Sequence, residues 1–536
     1  MTFEIVERDL AGRIGRLKTK SGVVDTPAFF PVVSPRKNVV PISVMKEKYG
    51  VKAIITNAYI TKKFLDEMSS PLKDVHEILE FPYTIMTDSG AYQILVYGAV
   101  EVKPDEIIRV QEALNSDIAV ILDVPTSRRA SYSEALKTVE DTLRNAEVSQ
   151  REITREDIIW VGPVQGGKFL DLVEFCAKRI GAMNFQMHGI GGPTQFMEEY
   201  KFDELVDLVV TAKRMLPLER PVHLFGAGHP ITLPLLVALG CDTFDSAAYA
   251  IYARDERYMT PRGTIKLHRL HSLPCSCDVC RRMDVEDLKD MSKEMRIRYL
   301  AEHNLAVTLQ EINNIKQAIH EGNLWELIEM RAKAHPQLYQ AVLRLKKYKD
   351  YLEKFDPIVK SQVRGIFYST SEGLIRPEVT RHVKRLRENV RFPGKQVLLL
   401  IPDPYEKPFH KSKYISRLLK IVEEVAGEES CEIHECVYCI PFGIVPLELD
   451  EVYPLSQHEK SVFIDLNAER IVLEALNELL KENEYKTVVF FENPDRWSDH
   501  LKEGIIEMCK KFDEEVKVVK YNDWAEIREV LSKLMK

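Results

Sequence analysis

Five residues with chemically useful groups recur at one kind of position in the first half of the sequence. Each ends or closely follows a short apolar segment: Asp88, Asp123, Gln165, Gly191 and Asp245. A carboxylate can attack a sugar C1′ through an oxocarbenium-like transition state while a second carboxylate transfers protons. Two such carboxylates could therefore break and remake a glycosidic bond. An aspartate after a strand also commonly caps the next helix, so each residue taken alone is weak evidence.

Other residues of this region fit the recognition of a flat heterocycle. A carboxylate beside an amide, as with Asp123 and Gln165, can accept and donate hydrogen bonds along a purine edge. Gly191 and Gly192 would let the backbone approach such a ligand closely. Tyr92 could stack on its face. We therefore expect a purine-like base next to the carboxylates.

Three cysteines within six positions form a second chemical feature. Cys275, Cys277 and Cys280 are followed by His303 in a chain that has only 14 histidines. Three thiolates and one imidazole fill a tetrahedral zinc site and leave no position for a reactive water. We predict one structural zinc ion per chain at these four residues.

A second group of potential ligands has a different context. Cys431, His434, Cys436 and Cys439 lie in or beside the segment 432–440, which alternates aromatic and branched residues as a strand does. Cysteine in a strand usually behaves as a small core hydrophobe. We therefore predict core packing here, and the sequence assigns these cysteines no further role.

Eight short apolar segments, each followed by helical periodicity, would position the first set of residues. They are 28–33, 53–58, 83–88, 118–123, 158–165, 184–189, 222–227 and 241–245. Eight alternations of strand and helix are typical of an α/β (β/α)8 TIM barrel, whose active sites lie at the carboxyl ends of the strands. An open doubly wound sheet is the alternative that the same alternation permits.

The length of 536 residues exceeds one ordinary domain. We predict a barrel over residues 1–345, with a zinc-binding subdomain at about 270–310, and a basic connecting segment over 346–395. Smaller α/β or α+β domains should follow over 396–536, with strands near 397–401, 488–491 and 516–519.

The charge is unevenly distributed along the chain. The net charge of −8 argues against a general polyanion-coating protein. The segment from Arg344 to Lys395, however, contains 14 Lys and Arg but only 6 Asp and Glu. This excess of positive charge could form a local surface that binds phosphate. No signal peptide and no apolar run of the roughly 20 residues of a membrane helix is evident, so we expect a cytoplasmic protein without a membrane anchor.

Several motifs occur together and in a fixed order. They are the segments 87–93 (TDSGAYQ), 165–167 (QGG), 188–192 (HGIGG) and 244–247 (FDSA), and the cysteine cluster with His303. Together they resemble the tRNA-guanine transglycosylases over about residues 1–345. Segments 368–372, 376–379, 441–443 and 453–454 resemble the carboxyl-terminal part of the archaeal branch.

The resemblance implies a zinc-bearing TIM barrel that exchanges guanine 15 in the D arm of tRNA for 7-cyano-7-deazaguanine, a step of archaeosine biosynthesis. It implies a double displacement in which Asp245 is the nucleophile that forms a covalent ribosyl intermediate and Asp88 is the general acid/base. The base-binding positions that it implies are Asp123, Gln165, Tyr92, Gly191 and Gly192. Tyr92 departs from the usual Phe, which keeps the stacking face and adds a hydroxyl.

The resemblance also implies partners. A homodimer is expected, and archaeal relatives usually carry a PUA RNA-binding module that is not recognisable here, so a separate PUA-type protein could supply it. Within the basic segment, Lys384, Arg385 and Arg387 are the candidate tRNA contacts, because phosphate contacts would offset the cost of opening the tRNA elbow.

Two alternative functions remain open from the sequence. One is a non-catalytic tRNA-binding subunit of a transglycosylase complex. The other is queuosine-type exchange at the anticodon wobble position. The joint presence of Asp88, Asp123, Gln165 and Asp245 favours an active enzyme, and the long carboxyl-terminal extension favours the D arm over an already exposed anticodon loop.

Overall fold

The structure, a computed structural model, describes residues 2–91, 103–360, 365–389, 391–461 and 465–535. It divides into two units. The first unit consists of Met1–Tyr348 and Phe355–Gln362, and the second of Lys349–Lys354 and Val363–Lys536.

Eight parallel strands form the sheet of the first unit. In chain order they are β4 (Ala28–Pro31), β5 (Ala53–Asn57), β6 (Thr84–Asp88), β7 (Ile118–Val120), β8 (Ile159–Val164), β9 (Met187–Ile190), β10 (Val222–Leu224) and β11 (Thr243–Ser246). Strand β4 pairs with β11, and an isolated bridge from Val32 to Ile55 joins β4 to β5, so the strands form a ring. The prediction of a TIM barrel is confirmed, and the open-sheet alternative is wrong.

Helices follow the barrel strands as the apolar periodicity predicts. Within the described residues, the helices before residue 255 are Ile42–Glu47, Ala58–Glu67, Val75–Leu79, Pro104–Ala113, Tyr132–Glu152, Leu170–Gly181, Pro193–Glu198, Phe202–Met215, Leu233–Ala238 and Ala248–Arg254. The longest of them, Tyr132–Glu152, begins with a capping box in which Ser131 and Glu134 exchange side-chain and backbone hydrogen bonds.

A three-stranded antiparallel sheet that the sequence analysis did not predict packs against the barrel interior. Its strands are β1 (Phe3–Asp9), β2 (Gly12–Thr19) and β3 (Gly22–Thr26). Phe3, Leu17 and Val24 share one buried cluster with inward-facing barrel residues such as Phe30 and Met187. The apolar interior is therefore filled, and polar chemistry is left to the carboxyl ends of the strands.

The cysteine cluster lies after the eighth barrel strand. A hairpin of β12 (Arg257–Thr260) and β13 (Gly263–Lys266) precedes it, and the helices Val285–Asp290 and Lys293–Glu321 follow. The remaining helices of the first unit are Leu324–Ala332 and Pro336–Arg344, and the helix Lys349–Phe355 spans the division between the units.

The second unit is built on a five-stranded sheet. Its strands are β15 (Val397–Pro402), β16 (Ile433–Cys439), β17 (Gly443–Pro446), β19 (Thr487–Glu492) and β20 (Glu515–Lys520), in the spatial order β17-β16-β15-β19-β20. All pairs are parallel except β16 with β17. Strands β14 (Ile366–Tyr368) and β18 (His458–Lys460) form a separate parallel pair.

Both faces of this sheet are covered by helices, which explains the continuous apolar sequence of β15. Leu399 and Ile401 belong to the core on one face, and Leu398 and Leu400 to the core on the other. The helices of this unit are Pro377–Glu388, Lys413–Ala426, Leu466–Leu480, Asp499–Lys511 and Trp524–Leu534. The prediction of a smaller α/β carboxyl-terminal part is confirmed. Within the described ranges, no helix has both the length and the apolar character needed to cross a membrane.

Candidate active site and metal centre

The carboxyl ends of the barrel strands surround a cavity of about 500 Å³. This volume is in the usual range for small-molecule sites. Six residues singled out in the sequence line it: Asp88, Asp123, Gln165, Gly191, Gly192 and Asp245. Asp88 and Asp245 are 157 positions apart in the chain, and they lie at the same cavity because the carboxyl ends of all the parallel strands are at one end of the barrel. Tyr92 lies outside the described residues.

Asp245, on β11, is held by two hydrogen bonds to the same oxygen. His223 Nε2 lies 3.0 Å from Asp245 Oδ1, and the backbone N–H of Gly226 donates to this oxygen at 2.9 Å. Within the described residues the other oxygen, Oδ2, has no hydrogen-bond partner. The carboxylate is therefore oriented through Oδ1, and Oδ2 is available to react in the cavity.

The hydrogen bonds of His223 fix its tautomer. His223 is fully buried, and its Nδ1 lies 2.9 Å from the hydroxyl of Thr243, its register partner on β11. A carboxylate only accepts hydrogen bonds, so Nε2 carries the proton and the Thr243 hydroxyl donates to Nδ1. The sequence analysis missed His223, although a histidine inside an otherwise apolar barrel strand was a usable signal.

Asp88 lies at the end of β6 and lines the same cavity as Asp245. Burial raises its pKa to about 7, and repulsion from Asp123 and Asp245 adds to this shift. Its Oδ2 accepts hydrogen bonds from Asn57 Nδ2 at 3.3 Å and from the N–H of Gly90 at 3.4 Å. Asn57 is the register partner of Asp88 on β5, and the sequence analysis missed it too. A carboxyl group with a pKa near 7 can both give and take a proton at neutral pH.

Asp123 and Gln165 form a directly bonded pair. Gln165 Nε2 donates to Asp123 Oδ2 at 2.5 Å, while Gln165 Oε1 accepts from the backbone N–H of Thr126 at 3.0 Å. Both side chains are buried. Burial raises the pKa of Asp123 to about 6, and the hydrogen bond from Gln165 opposes the shift. The amide is thus held in one orientation, as a base-recognising group must be.

Two glycines permit this arrangement. A Cβ at Gly191 would lie 2.1 Å from Gln165 Nε2, so only glycine leaves room for the amide. Gly192 has a φ of 75°, in the left-handed region, and precedes the helix Pro193–Glu198. The glycines therefore allow backbone and amide to approach the same part of the cavity.

Cys275, Cys277, Cys280 and His303, which the sequence predicts to bind zinc, lie close together and form a candidate metal centre. Their potential ligand atoms all lie within 4.8 Å of one another. His303 Nδ1 lies 3.5 Å from Cys277 Sγ and 3.4 Å from Cys280 Sγ. A tetrahedral zinc site with bonds of 2.0 to 2.3 Å has ligand–ligand edges of about 3.6 Å. The residues therefore fit a metal ion of zinc size, and the identity of the metal belongs to the proposal below.

The surroundings of His303 also suit metal binding. His303 Nε2 donates a hydrogen bond to the carbonyl oxygen of Met259 at 2.9 Å, so Nδ1, which faces the sulfurs, is the nitrogen available to a metal. The ring of Tyr258 stacks on His303 with centroids 3.6 Å apart, and its hydroxyl lies 3.3 Å from Cys280 Sγ. This second layer orients the imidazole before any metal binds.

The second group of potential ligands, which the sequence analysis assigned to core packing, lies on or beside strand β16. Cys436 and Cys439 are buried on β16, His434 is buried beside Tyr485 at 2.6 Å, and Cys431 is exposed. Of the residues the structure describes, only the cluster of Cys275, Cys277, Cys280 and His303 groups three or more potential metal-ligating side chains.

The three basic residues proposed for tRNA contact differ in their surroundings. Lys384 pairs with Glu353 at 2.9 Å and with Asp350 at 3.1 Å. Arg387 pairs with Glu388 at 3.0 Å. Arg385 is exposed. Acidic neighbours therefore offset much of the positive charge at two of these three positions.

Two family models match the chain. The model of queuine tRNA-ribosyltransferase matches residues 9–337, and the model of a domain of unknown function matches residues 379–536. A protein of Pyrobaculum aerophilum named tRNA-guanine(15) transglycosylase is 44% identical over 462 residues, which cover 86% of this chain and 90% of the relative. Proteins of the same name from Sulfolobus acidocaldarius and Methanocaldococcus jannaschii are 41% and 42% identical, over 94% and 70% of their own lengths.

Proposed function

This chain belongs to the queuine tRNA-ribosyltransferase family of transglycosylases, and we propose that it replaces guanine 15 in the D arm of tRNA with 7-cyano-7-deazaguanine. The names of its relatives support position 15. The proposal rests on one observation: Asp88, Asp123, Gln165 and Asp245 line the same cavity. Asp88 and Asp245 suffice for the exchange, and Asp123 and Gln165 can recognise the base. The entering base and archaeosine as the end product follow from the resemblance to the archaeal branch.

The first half of the reaction forms a covalent intermediate. Oδ2 of Asp245 attacks C1′ of the target nucleotide, the bond from C1′ to the guanine nitrogen breaks, and the carboxyl of Asp88 gives its proton to the departing base. His223 and Gly226 hold Oδ1 of Asp245, so the attack needs no reorientation of the carboxylate. Asp123 and Gln165 hold the guanine edge.

The second half reverses these steps with the new base. Asp88, now ionised, takes the proton from the ring nitrogen of 7-cyano-7-deazaguanine, and that nitrogen attacks C1′ and releases Asp245. The pKa of Asp88 near 7 suits both directions of proton transfer. Guanine leaves, the new base enters, and the enzyme returns to its starting protonation.

We propose that the metal centre holds one zinc ion with a structural role. Zinc would fix the segment between β13 and the helix Lys293–Glu321, because three thiolates and one imidazole complete its coordination. The reaction steps above use only residues of the barrel. The homodimer, the separate PUA-type protein and the cytoplasmic location stay predictions.

The test is incorporation of labelled guanine, and separately of 7-cyano-7-deazaguanine, into unmodified archaeal tRNA. We expect label in tRNA with guanine 15 and none when this guanine is replaced by adenine. Asp245→Asn should abolish both incorporation and the covalent adduct, whereas Asp66→Asn, at an exposed carboxylate of the same unit, should behave as wild type.

Two other outcomes would point to the alternatives. Label that depends on the wobble guanine rather than on guanine 15 would support queuosine-type exchange. Binding of tRNA by wild-type protein with neither label nor adduct would support the non-catalytic subunit.

A further inference from the structure

The sheet of the second unit has a topological switch point. From β15 the chain passes to β16 on one side, and later returns to β19 on the other side of β15. In open parallel sheets the crevice at the carboxyl ends of two such strands is the usual place for a ligand. The segments that leave this edge are 403–408 after β15 and 493–497 after β19.

Three cations and one carboxylate meet at this edge. Lys460, from β18, donates to Oδ2 of Asp403. Arg496 Nη1 donates to the carbonyl oxygen of Asp403 at 2.8 Å and lies 3.2 Å from its Oδ1. Lys407 donates to the carbonyl oxygen of His458. The side chains of Asp403, Lys460 and Arg496 are only 2%, 11% and 14% exposed.

The positive charge of this cluster exceeds the negative charge. Lys460 and Arg496 share Asp403, and Asp403 and the exposed Glu459 both act on Lys407. Burial, with repulsion from Lys460, lowers the pKa of Lys407 to about 8. Arg496 Nε is also buried without a hydrogen-bond partner in the described residues. Partly buried surplus cations are costly, and a bound anion would remove that cost.

An exposed aromatic ring lies beside the cluster. Tyr405 is 71% exposed, and the guanidinium of Arg496 lies 4.9 Å from its ring centroid. An exposed ring next to cations is the arrangement that binds nucleotides, since the base stacks on the ring and the phosphate contacts the cations.

We propose that this edge of the second unit binds a nucleotide, with its phosphate at Lys407, Lys460 and Arg496 and its base stacked on Tyr405. The nucleotide is either part of tRNA or a free mononucleotide, which present the same chemistry. The proposal does not depend on base exchange in the barrel, because every residue it uses lies in the second unit.

The experiment measures binding of labelled unmodified tRNA and of AMP to the full chain, with Tyr405→Ala and Lys407→Gln as variants. Lys411→Gln, at a lysine that is 62% exposed in the same unit, is the matched control. Tyr405→Ala should weaken binding about 5- to 100-fold and Tyr405→Phe should restore it, since only the ring face is required. Lys407→Gln should weaken binding and Lys407→Arg should restore it.

The two probes distinguish the source of the nucleotide. If it belongs to tRNA, Lys407→Gln should also reduce the slope of log affinity against log salt by about 0.7 to 0.9. If it is free, AMP affinity falls in both variants and tRNA affinity is unchanged. The proposal would be overturned if Tyr405→Ala and Lys407→Gln both bound tRNA and AMP as tightly as the control Lys411→Gln does. Tyr405 is exposed, so its variant tests the proposal even if a lysine variant folds poorly.

Discussion

Replacement of Asp88 by Asn should change how the stability of the first unit depends on pH. The folded pKa of Asp88 is about 7 against an ordinary value of 3.8. A carboxyl whose pKa is raised on folding binds its proton more tightly in the folded state, so its ionisation destabilises the fold. This loss begins as pH rises above 3.8 and is complete above about 7.

The magnitude follows from the two pKa values. Ionisation of Asp88 should cost the folded state about 1.7 kcal/mol at pH 5 and about 4.3 kcal/mol at pH 8. An asparagine has no such cost. Relative to wild type, the free energy of unfolding of Asp88→Asn should therefore rise by about 2.6 kcal/mol between pH 5 and pH 8.

The assay is guanidinium unfolding of the full chain at several pH values between 5 and 8. Fluorescence of Trp160 and Trp325 reports on the first unit when Trp497 and Trp524 are replaced by Phe in every protein compared. Asp66→Asn, at an exposed carboxylate, should follow wild type. Parallel curves for wild type and Asp88→Asn would refute the reasoning that the cavity raises this pKa.

The remaining predictions concern three other features. His223→Phe should slow formation of the covalent adduct by about 10- to 100-fold in single-turnover assays, because Asp245 loses a buried hydrogen bond. His223→Gln should recover part of the rate. Equal rates in wild type, His223→Phe and His223→Gln would show that His223 does not position Asp245. Cys280→Ser should lower the bound zinc, measured by mass spectrometry of the native protein, from one ion per chain toward none, and undiminished zinc would contradict the ligand set. Arg385→Glu should weaken tRNA binding more than Arg387→Glu in a filter-binding assay, because Arg387 is already paired with Glu388; the reverse order would place the RNA elsewhere.

Most of the barrel could be predicted because its signal is local and repeated. Six of the eight apolar segments contain the whole strand that the structure has, and β9 and β11 extend one residue beyond theirs, to Ile190 and Ser246. The direction of the strands then determines which end of the barrel carries the site. The candidate metal ligands Cys275, Cys277 and Cys280 could likewise be predicted, since their spacing is short and the residue types are unusual. Periodicity and composition are thus sufficient where neighbours in sequence determine the outcome.

The unpredicted parts depend on contacts between distant residues. The strands β1 to β3 have polar outward faces, and nothing in their sequence indicates that the sheet packs against the barrel interior. Asn57 and His223 act through register partners on neighbouring strands, Asp88 and Thr243. Such pairs become visible only when the strand register is known. The charge excess of the basic segment likewise did not reveal that Lys384 is already paired.

The three carboxylates of the cavity differ in ways that divide the chemistry among them. Two N–H groups hold one oxygen of Asp245, which fits the fixed nucleophile that we propose. Asp88 accepts hydrogen bonds of 3.3 Å and 3.4 Å from Asn57 and Gly90, and burial raises its pKa to about 7, so its proton is exchangeable near neutral pH. Asp123 accepts a hydrogen bond from Gln165, which supports the role in base recognition that we propose for this pair. Environments that separate the properties of like groups are how one site supplies nucleophile, acid and base together. Because neighbours rather than residue type set these roles, exchanging His223 or Asn57 should alter the chemistry while every carboxylate remains in place.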